Sequence, residues 1–316
     1  MRGHVNVFWP FWRVLRITAH PQFFEVTVVQ AVILAAGRGS RLEPVTHHLP
    51  KPLIPFWGRP FISYLLERLN GYVDEAVIVD GPAGEIAAIV GERYRDLPLR
   101  YVIQPDPVGT GDALLQACDL LRSPFLIMLA DTCPPQETIR ELTEAPGDAV
   151  LATIRVDDRE NHGGVDIAPG GRVTGLWTDA DTVDAGIIRT TSRICELLTT
   201  MEPLRGELRI LQGVDAMIRE GDDVRGIVMP GPWLQFGDHE GLAGVLRVMR
   251  QIHDDADSLP EGASSVDVAS ATDCTIANSL VFGPGELVNC TITDSMVYCG
   301  TRLEGARIDG EMTAYV

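Results

Sequence analysis

Lysine is all but absent from this 316-residue chain: Lys51 is the single example, and every other strong base is arginine. Positive charge is scarce altogether, with 26 Lys and Arg against 44 Asp and Glu and a formal net charge of −18. Such a surplus of acid repels phosphate backbones and anionic lipid, which excludes a broad nucleic-acid-binding face. Paired cysteine spacing is missing too. Cys118, Cys133, Cys195, Cys274, Cys290 and Cys299 form no C-x-x-C, and a chain of this length needs no disulfide scaffold, so all six read as reduced thiols of a cytosolic protein. No unbroken apolar run reaches the roughly 18 residues of a spanning helix. The histidines show neither i, i+4 nor Cys-paired zinc spacing, and His47, His48 and His239 read as loop-surface residues. What remains, 45% hydrophobic and 22% charged residues, belongs to a soluble globular protein of about two domains.

Residues 1–29 stand apart, mixing aromatics with Arg2, Arg13 and Arg16 and broken by Pro10 and Pro21. They lack the continuous apolar core of a signal peptide and read as a poorly ordered extension or translated leader. An interfacial anchor through Trp9, Phe11 and Trp12 is the alternative. From Val28 onward VVQAVILAA is a buried-strand run that ends on Gly37-Arg38-Gly39-Ser40. FISYLLERLNGY then reads as helix, EAVIVDG as strand, EIAAIVGERYR as helix, LRYVIQP as strand, GDALLQACDLLR as helix and PFLIMLAD as strand. This alternation predicts an α/β fold, a mostly parallel sheet with helices on both faces. Beyond it AVLATIRV, GVDIAP, RVTGLW and DAGIIRT read as short strands, SRICELLTTM and LQGVDAMIRE as helices, and GLAGVLRVMRQIHDD as a last amphipathic helix. The polar stretch DSLPEGASS has linker character, which divides the chain into a domain over 30–254, a linker over 255–265 and a C-terminal unit over 266–316.

In that unit Leu280, Leu287, Ile292, Val297, Leu303 and Ile308 recur at steps of five to seven residues, with glycine and small polar residues between. A hexapeptide-like period is the mark of a short left-handed parallel β-helix, at roughly eighteen residues per coil and two to three coils. An ordinary β-hairpin appendage is the competing reading.

The densest chemical signal is Leu34-Ala35-Ala36-Gly37-Arg38-Gly39-Ser40-Arg41, continuing to Pro50-Lys51-Pro52-Leu53. A glycine-rich turn after a strand lets backbone N–H groups approach phosphate oxygens without a Cβ in the way. Arg41 and Lys51 then supply a planar fork and a point charge for a polyphosphate, and the flanking prolines fix the backbone that carries Lys51. This segment resembles the signature of the sugar-phosphate nucleotidylyltransferases, the family of glucose-1-phosphate thymidylyl- and uridylyltransferases. Gln104-Pro105-Asp106-Pro107-Val108-Gly109-Thr110-Gly111 is similar to the family's base-recognition loop, and Leu129-Ala130-Asp131 to the strand end whose aspartate binds Mg²⁺. Gly163-Gly164-Val165, Asp184-Ala185-Gly186-Ile187 and Gly206-Glu207-Leu208 resemble sugar-lobe segments, and Gly231-Pro232-Trp233-Leu234-Gln235-Phe236-Gly237 the closing metal loop.

The resemblance implies a Rossmann-like nucleotidyltransferase whose partners are a nucleoside triphosphate and a sugar 1-phosphate. It implies Leu34, Ala36, Gly37, Gly39, Ser40, Gln104, Gly109 and Thr110 as nucleotide-binding residues and Arg41 and Lys51 as catalytic ones. Gly164, Gly186 and Glu207 are its sugar-binding residues, and Asp131 its Mg²⁺ ligand, joined by Gln235 or Asp238. The chain departs from the family twice. Gln235 replaces a carboxylate in the closing loop, and Leu176-Trp177-Thr178-Asp179 stands where the family carries Glu-Lys-Pro, leaving Arg189 or Arg205 to reach the sugar phosphate. These departures support a rival reading, a weak or inactive homologue that binds nucleotide sugar and regulates an active partner. Ala36 in place of a glycine is similar to uridylyl and cytidylyl members, and the base stays open. The C-terminal repeat holds no histidine to serve as an acyl-transfer base, since the last, His253, precedes it, so packing or homo-oligomerisation is its expected role.

Overall fold

A computed structural model describes residues 30–156, 163–230, 234–235 and 264–316. The expected N-terminal extension, the helix GLAGVLRVMRQIHDD and most of the 255–265 linker lie outside the described residues.

The strands follow the sequence pattern closely. β1 (Gln30–Leu34) is buried along its whole length, because Ala31 and Ile33 face one core while Val32 and Leu34 face another. α1 (Phe61–Leu69) follows, then β2 (Glu75–Asp80), α2 (Glu85–Val90) and β3 (Leu97–Ile103). Gly91, at φ +79°, ends α2, so the stretch EIAAIVGERYR divides, and Arg93–Tyr94 pairs antiparallel with the start of β3. α3 (Thr110–Ala117), β4 (Phe125–Leu129), α4 (Gln136–Glu144) and β5 (Ala149–Arg155) continue the alternation. β6 (Gly164–Ile167), β7 (Val173–Thr178), β8 (Thr182–Thr190), α5 (Arg193–Thr199), α6 (Ile210–Glu220) and β9 (Val224–Val228) complete it.

β1 pairs in parallel with β2 and β4, and β2 with β3. β8 runs antiparallel to β4 and to β5, and β9 lies parallel to β5. One mixed, mostly parallel sheet results, as expected. Its first face packs against α1, α2 and α4 through Ile62, Leu65, Leu66, Ile86, Ile139 and Leu142. Its second face packs against α3, α5 and α6 through Leu114, Ile194, Leu198, Val214 and Met217. Each such side chain, removed from water, contributes about 1.5–3 kcal/mol relative to staying exposed. The carboxyl ends of β1, β3 and β4 share one edge, and β8, running the other way, brings Asp184 to that same edge. No helix among the described residues is long and apolar enough to cross a membrane.

The C-terminal residues form a parallel β-helix of ten short strands in sheets of four, three and three. Partners in successive coils lie sixteen residues apart, as in Leu280↔Met296 and Thr291↔Arg307, or fifteen at the first step, Ser265↔Leu280, fewer than the roughly eighteen expected. The corners explain the difference. Asp273, Asn278, Asn289 and Asp294 turn at positive φ, as do Gly283, Gly305 and Gly310, so five residues complete most faces. Inside the corners Ser279 and Ser295 each donate to the carbonyl two residues back and accept from the backbone one coil on, a ladder that leaves these buried polar groups paired. The sheet containing Leu280–Phe282 and Met296–Cys299 is apolar on its outer side as well. Leu280, Phe282 and Met296 share one cluster with Leu42, Val45, Phe56, Phe61 and Tyr64, and His48 stacks on Tyr298 at 4.7 Å between centroids. The β-helix therefore packs on the segment that follows the glycine-rich loop.

One expectation is corrected. Cys118 and Cys195 form a disulfide across 77 residues of sequence, so not all the cysteines are reduced. The turn after α3 and the helix α5 pack side by side and bring the two sulfurs together, a proximity that local spacing does not reveal.

Candidate active site

Burial of both faces of β1 forces the chain to leave the sheet at Leu34, and residues 37–41 emerge as a largely exposed bend. Gly39 adopts φ +64°, and a Cβ there would lie 2.9 Å from Thr46 Cγ2 and 3.3 Å from Lys51 Cβ. Only glycine lets the bend close on the Lys51 segment. Thr46 Oγ1 holds it there by donating to the Gly39 carbonyl at 3.0 Å. No acceptor among the described residues takes the backbone N–H of Gly37, Arg38, Gly39 or Ser40, which leaves a set of donors for an anion.

Lys51 opens a one-turn helix, Lys51–Leu53, and its Nζ donates to Asp131 Oδ2 at 2.7 Å. Asp131 stands just past the end of β4, the strand beside β1, which is why residues eighty positions apart meet. Its other oxygen, Oδ1, is buried and has no hydrogen-bond partner among the described residues. An orphaned carboxylate oxygen is costly unless something else occupies it.

A third wall comes from the loop after β3. Gln104 is buried and donates through Nε2 to the Gly109 carbonyl at 3.2 Å and to Asp112 Oδ2 at 2.7 Å. Gly109, at φ +121°, runs so close to the chain at Leu208 that a Cβ would sit 2.2 Å from the Leu208 carbonyl oxygen. Leu208 N donates to Val108 O, Gly111 N to Leu208 O and Ile210 N to Thr110 Oγ1, so the two loops form one unit.

These walls enclose a cleft of about 660 Å³. Leu34, Ala36, Gly37, Gly39, Ser40, Arg41, Lys51, Gln104, Gly109, Thr110, Asp131 and Glu207 all line it. Gly164 and Gly186 do not. A Cβ on Gly164 would lie 2.6 Å from the Ala180 carbonyl, and one on Gly186 2.8 Å from Leu129 Cδ1, so both glycines serve close packing of β6 and β8. Arg189 and Arg205 are also outside the cleft lining; Arg189 instead donates to the Gly147 carbonyl. The base that lines the cleft beside Gly206 and Glu207 is Arg209, paired with Glu207 at 3.0 Å, which sequence reasoning missed although it follows Gly206-Glu207-Leu208 directly. Residues 234–235 pair with Thr132–Cys133, which sets residue 235 opposite Thr132, next to Asp131. Asp238 lies outside the described residues, and among those described no three His, Cys, Asp or Glu side chains stand together as a metal cluster.

Burial also raises two acids close to the end of β4. Burial raises the Cys133 thiol to about 11, which leaves it an inert packing residue two positions beyond Asp131. Burial raises the Asp184 carboxyl to about 7, against the lowering effect of the Gly186 backbone N–H, and its Oδ1 is buried without a partner among the described residues. Asp184 was legible as an acid inside an otherwise apolar strand, VDAGII, but alternation alone gave it no role.

The model of the MobA-like NTP transferase domain matches residues 31–218. A glucose-1-phosphate thymidylyltransferase of Streptomyces griseus is 30% identical, over 89% of this chain and 89% of its own length. A second glucose-1-phosphate thymidylyltransferase, from Streptomyces antibioticus, is 29% identical over 81% of this chain and 77% of its own. The bifunctional protein GlmU of a Methanococcus maripaludis strain is 27% identical over 66% of this chain, which spans about half, 51%, of that protein.

Proposed function

This chain belongs to the MobA-like NTP transferase family, and we propose that it transfers a nucleoside monophosphate from a nucleoside triphosphate to a sugar 1-phosphate, forming a nucleotide sugar. A phosphate oxygen of the sugar 1-phosphate attacks the α-phosphorus in line. The bond from that phosphorus to the bridging oxygen of the β-phosphate breaks, and pyrophosphate leaves. Both reactants are anions, so the barrier is lowered by positioning and charge neutralisation. The observation that carries this reading is the meeting of the glycine-rich bend, Lys51 and Asp131 in one cleft.

In this reading the N–H groups of residues 37–40 and the Arg41 guanidinium hold the triphosphate. Lys51 has three donors, so it bridges Asp131 and a phosphate oxygen at once. Gln104 and the Gly109–Gly111 turn form the wall for the base, and Glu207 with Arg209 borders the sugar side. The orphaned Asp131 Oδ1 suits a hard cation, since Mg²⁺ is commonly held by one or two carboxylates together with substrate phosphates. Asp131 would hold that ion with help from the segment at Gln235, and the bound ion would offset charge on the phosphates. We place the activity in the cytoplasm, with the catalytic domain over 30–254 and the β-helix over 266–316, whose last strand, Met312–Tyr315, is partly exposed and suits self-association.

One observation favours a second reading. Asp131 is the one acid among the described residues lining the Lys51 end of the cleft, which suits a homologue that binds nucleotide sugar without turnover. Pyrophosphate release across a grid of triphosphates and sugar 1-phosphates, with and without Mg²⁺, separates the two. The transferase reading expects Mg²⁺-dependent release that Lys51→Ala lowers by about 10²–10³-fold. Silence across the grid together with tight nucleotide-sugar binding overturns it in favour of the regulator.

A further inference from the structure

Arg41 and Lys51 both line the cleft, but none of residues 43–50 between them does. Among the described residues, the main-chain hydrogen bonds of this connecting segment join positions only three apart: Glu43 N to Ser40 O, His47 N to Pro44 O, His48 N to Val45 O and Leu53 N to Pro50 O. Its placement is therefore left to side chains. On the cleft side Thr46 Oγ1 donates to the Gly39 carbonyl at 3.0 Å, and a Cβ on Gly39 would meet Thr46 Cγ2 at 2.9 Å and Lys51 Cβ at 3.3 Å. The bend, Thr46 and Lys51 are thus in contact, and a shift of one is felt by the others. On the far side the segment rests on the β-helix. Val45 is fully buried in one cluster with Leu280, Phe282 and Met296, and the His48 ring stacks on Tyr298 with centroids 4.7 Å and planes 8° apart. Tyr298 is the fixed member of that pair. Its backbone lies in register with Phe282 on one coil and Ala314 on the next, and its ring meets Phe282 edge-on at 5.9 Å.

We propose that Tyr298 is a positioning residue for phosphate handling: through His48 and the turn at Val45–His47 it holds Thr46 against Gly39, and so sets the spacing between the glycine-rich bend and Lys51. The two cations on either side of the segment are useful only at a fixed separation, since a misplacement of about an ångström is enough to lose rate. A ring carried on a hydrogen-bonded coil supplies the rigidity that a locally bonded loop lacks. The proposal rests on the transfer reaction above, and it makes the β-helix a working part of the cleft that it does not itself line.

Inorganic pyrophosphate is the probe, because its binding requires neither a base nor turnover. Calorimetry on the full chain with Mg²⁺ is expected to show Tyr298→Ala and His48→Ala each binding pyrophosphate about tenfold more weakly than the wild type, and Tyr298→Phe, which keeps the ring, within about twofold. His48→Ala breaks the same stack from the loop side and leaves the β-helix untouched. The double alanine variant is expected to bind little more weakly than either single, since both act through one contact. In release assays the alanine variants are expected to lose about tenfold in kcat/KM for the triphosphate, while the KM for sugar 1-phosphate holds within about twofold. Ile308→Val, inside the β-helix, controls for lost stability alone and is expected to bind as the wild type does. Alanine variants that bind pyrophosphate like the wild type, a Tyr298→Phe protein as weak as Tyr298→Ala, single losses that multiply in the double, or a control that weakens as much each overturn the proposal. A wild type that binds pyrophosphate but releases none from any pair of triphosphate and sugar 1-phosphate overturns the transfer reaction, while the binding series still decides the role of Tyr298. A wild type that binds no pyrophosphate overturns both.

Discussion

Lys51 and Asp131, eighty residues apart in the chain, meet at 2.7 Å because β1 and β4 are adjacent parallel strands whose carboxyl ends open on the same edge. Open α/β sheets bind ligands at that edge. The pair sits beside the glycine-rich bend and leaves one carboxylate oxygen without a partner among the described residues, so a cation and a hard ligand stand together where the proposed reaction puts the triphosphate tail.

The close approach of two loops at Gly109 makes that glycine a sensitive position. Gly109→Ala forces a Cβ to within 2.2 Å of the Leu208 carbonyl at a backbone φ of +121°. The loop must shift, at a cost of roughly 1–3 kcal/mol or more. Urea denaturation is expected to show that loss, and triphosphate titration a weakened affinity, because the base wall and the Leu208 turn no longer close on each other.

Asp184 predicts a pH dependence. Its folded pKa of about 7 lies above that of the unfolded chain, so the folded protein keeps a proton that the unfolded chain releases. Stability therefore falls as pH rises from about 4 to about 7 and is level beyond. Asp184→Asn removes this contribution. Melting temperatures at about pH 5 and about pH 8 are expected to differ less in the variant than in the wild type, with the variant gaining at the higher pH.

The disulfide between Cys118 and Cys195 closes a long loop across the helical layer of α3 and α5. Cys118→Ser is expected to lower stability by about 2–4 kcal/mol in non-reducing denaturation, and dithiothreitol to abolish the difference from wild type.

Phe282 carries the contact between the β-helix and the α/β unit, buried to 1% exposure among Phe56, Phe61 and Tyr298. Phe282→Ala is expected to cost about 3–5 kcal/mol in denaturant unfolding. An unchanged midpoint would mean that the face contributes little to folding.

Much of this architecture was legible in the residues. Alternating apolar strands and amphipathic helices specified the sheet, because a parallel strand buried on both faces has to read as a continuous apolar run such as QAVIL. The glycine-rich bend and Lys51 were legible because each requirement is local: a positive φ at Gly39, a fixed backbone between prolines. What escaped was decided by contacts distant in sequence. Gln104 was expected in a base-recognition loop, but its hydrogen bonds depend on Asp112 eight residues further on, and the juncture with Leu208 depends on a loop about a hundred residues away. Arg209 in place of Arg189 or Arg205 has the same cause: β8 directs Arg189 to the Gly147 carbonyl, away from the cleft. The coil length of sixteen was hidden because left-handed Asn and Asp corners shorten faces that a six-residue rule assumes.

The measurement that bears most directly on the shared centre is a double-mutant cycle of pyrophosphate release over Lys51→Ala, Asp131→Asn and the two together. Each single change is expected to lower turnover by about 10²–10³-fold, and the double to fall little further, since residues acting as one unit are not additive. Singles that leave turnover within about twofold of wild type, or losses that simply multiply in the double, would contradict a single phosphate-handling centre built on this pair.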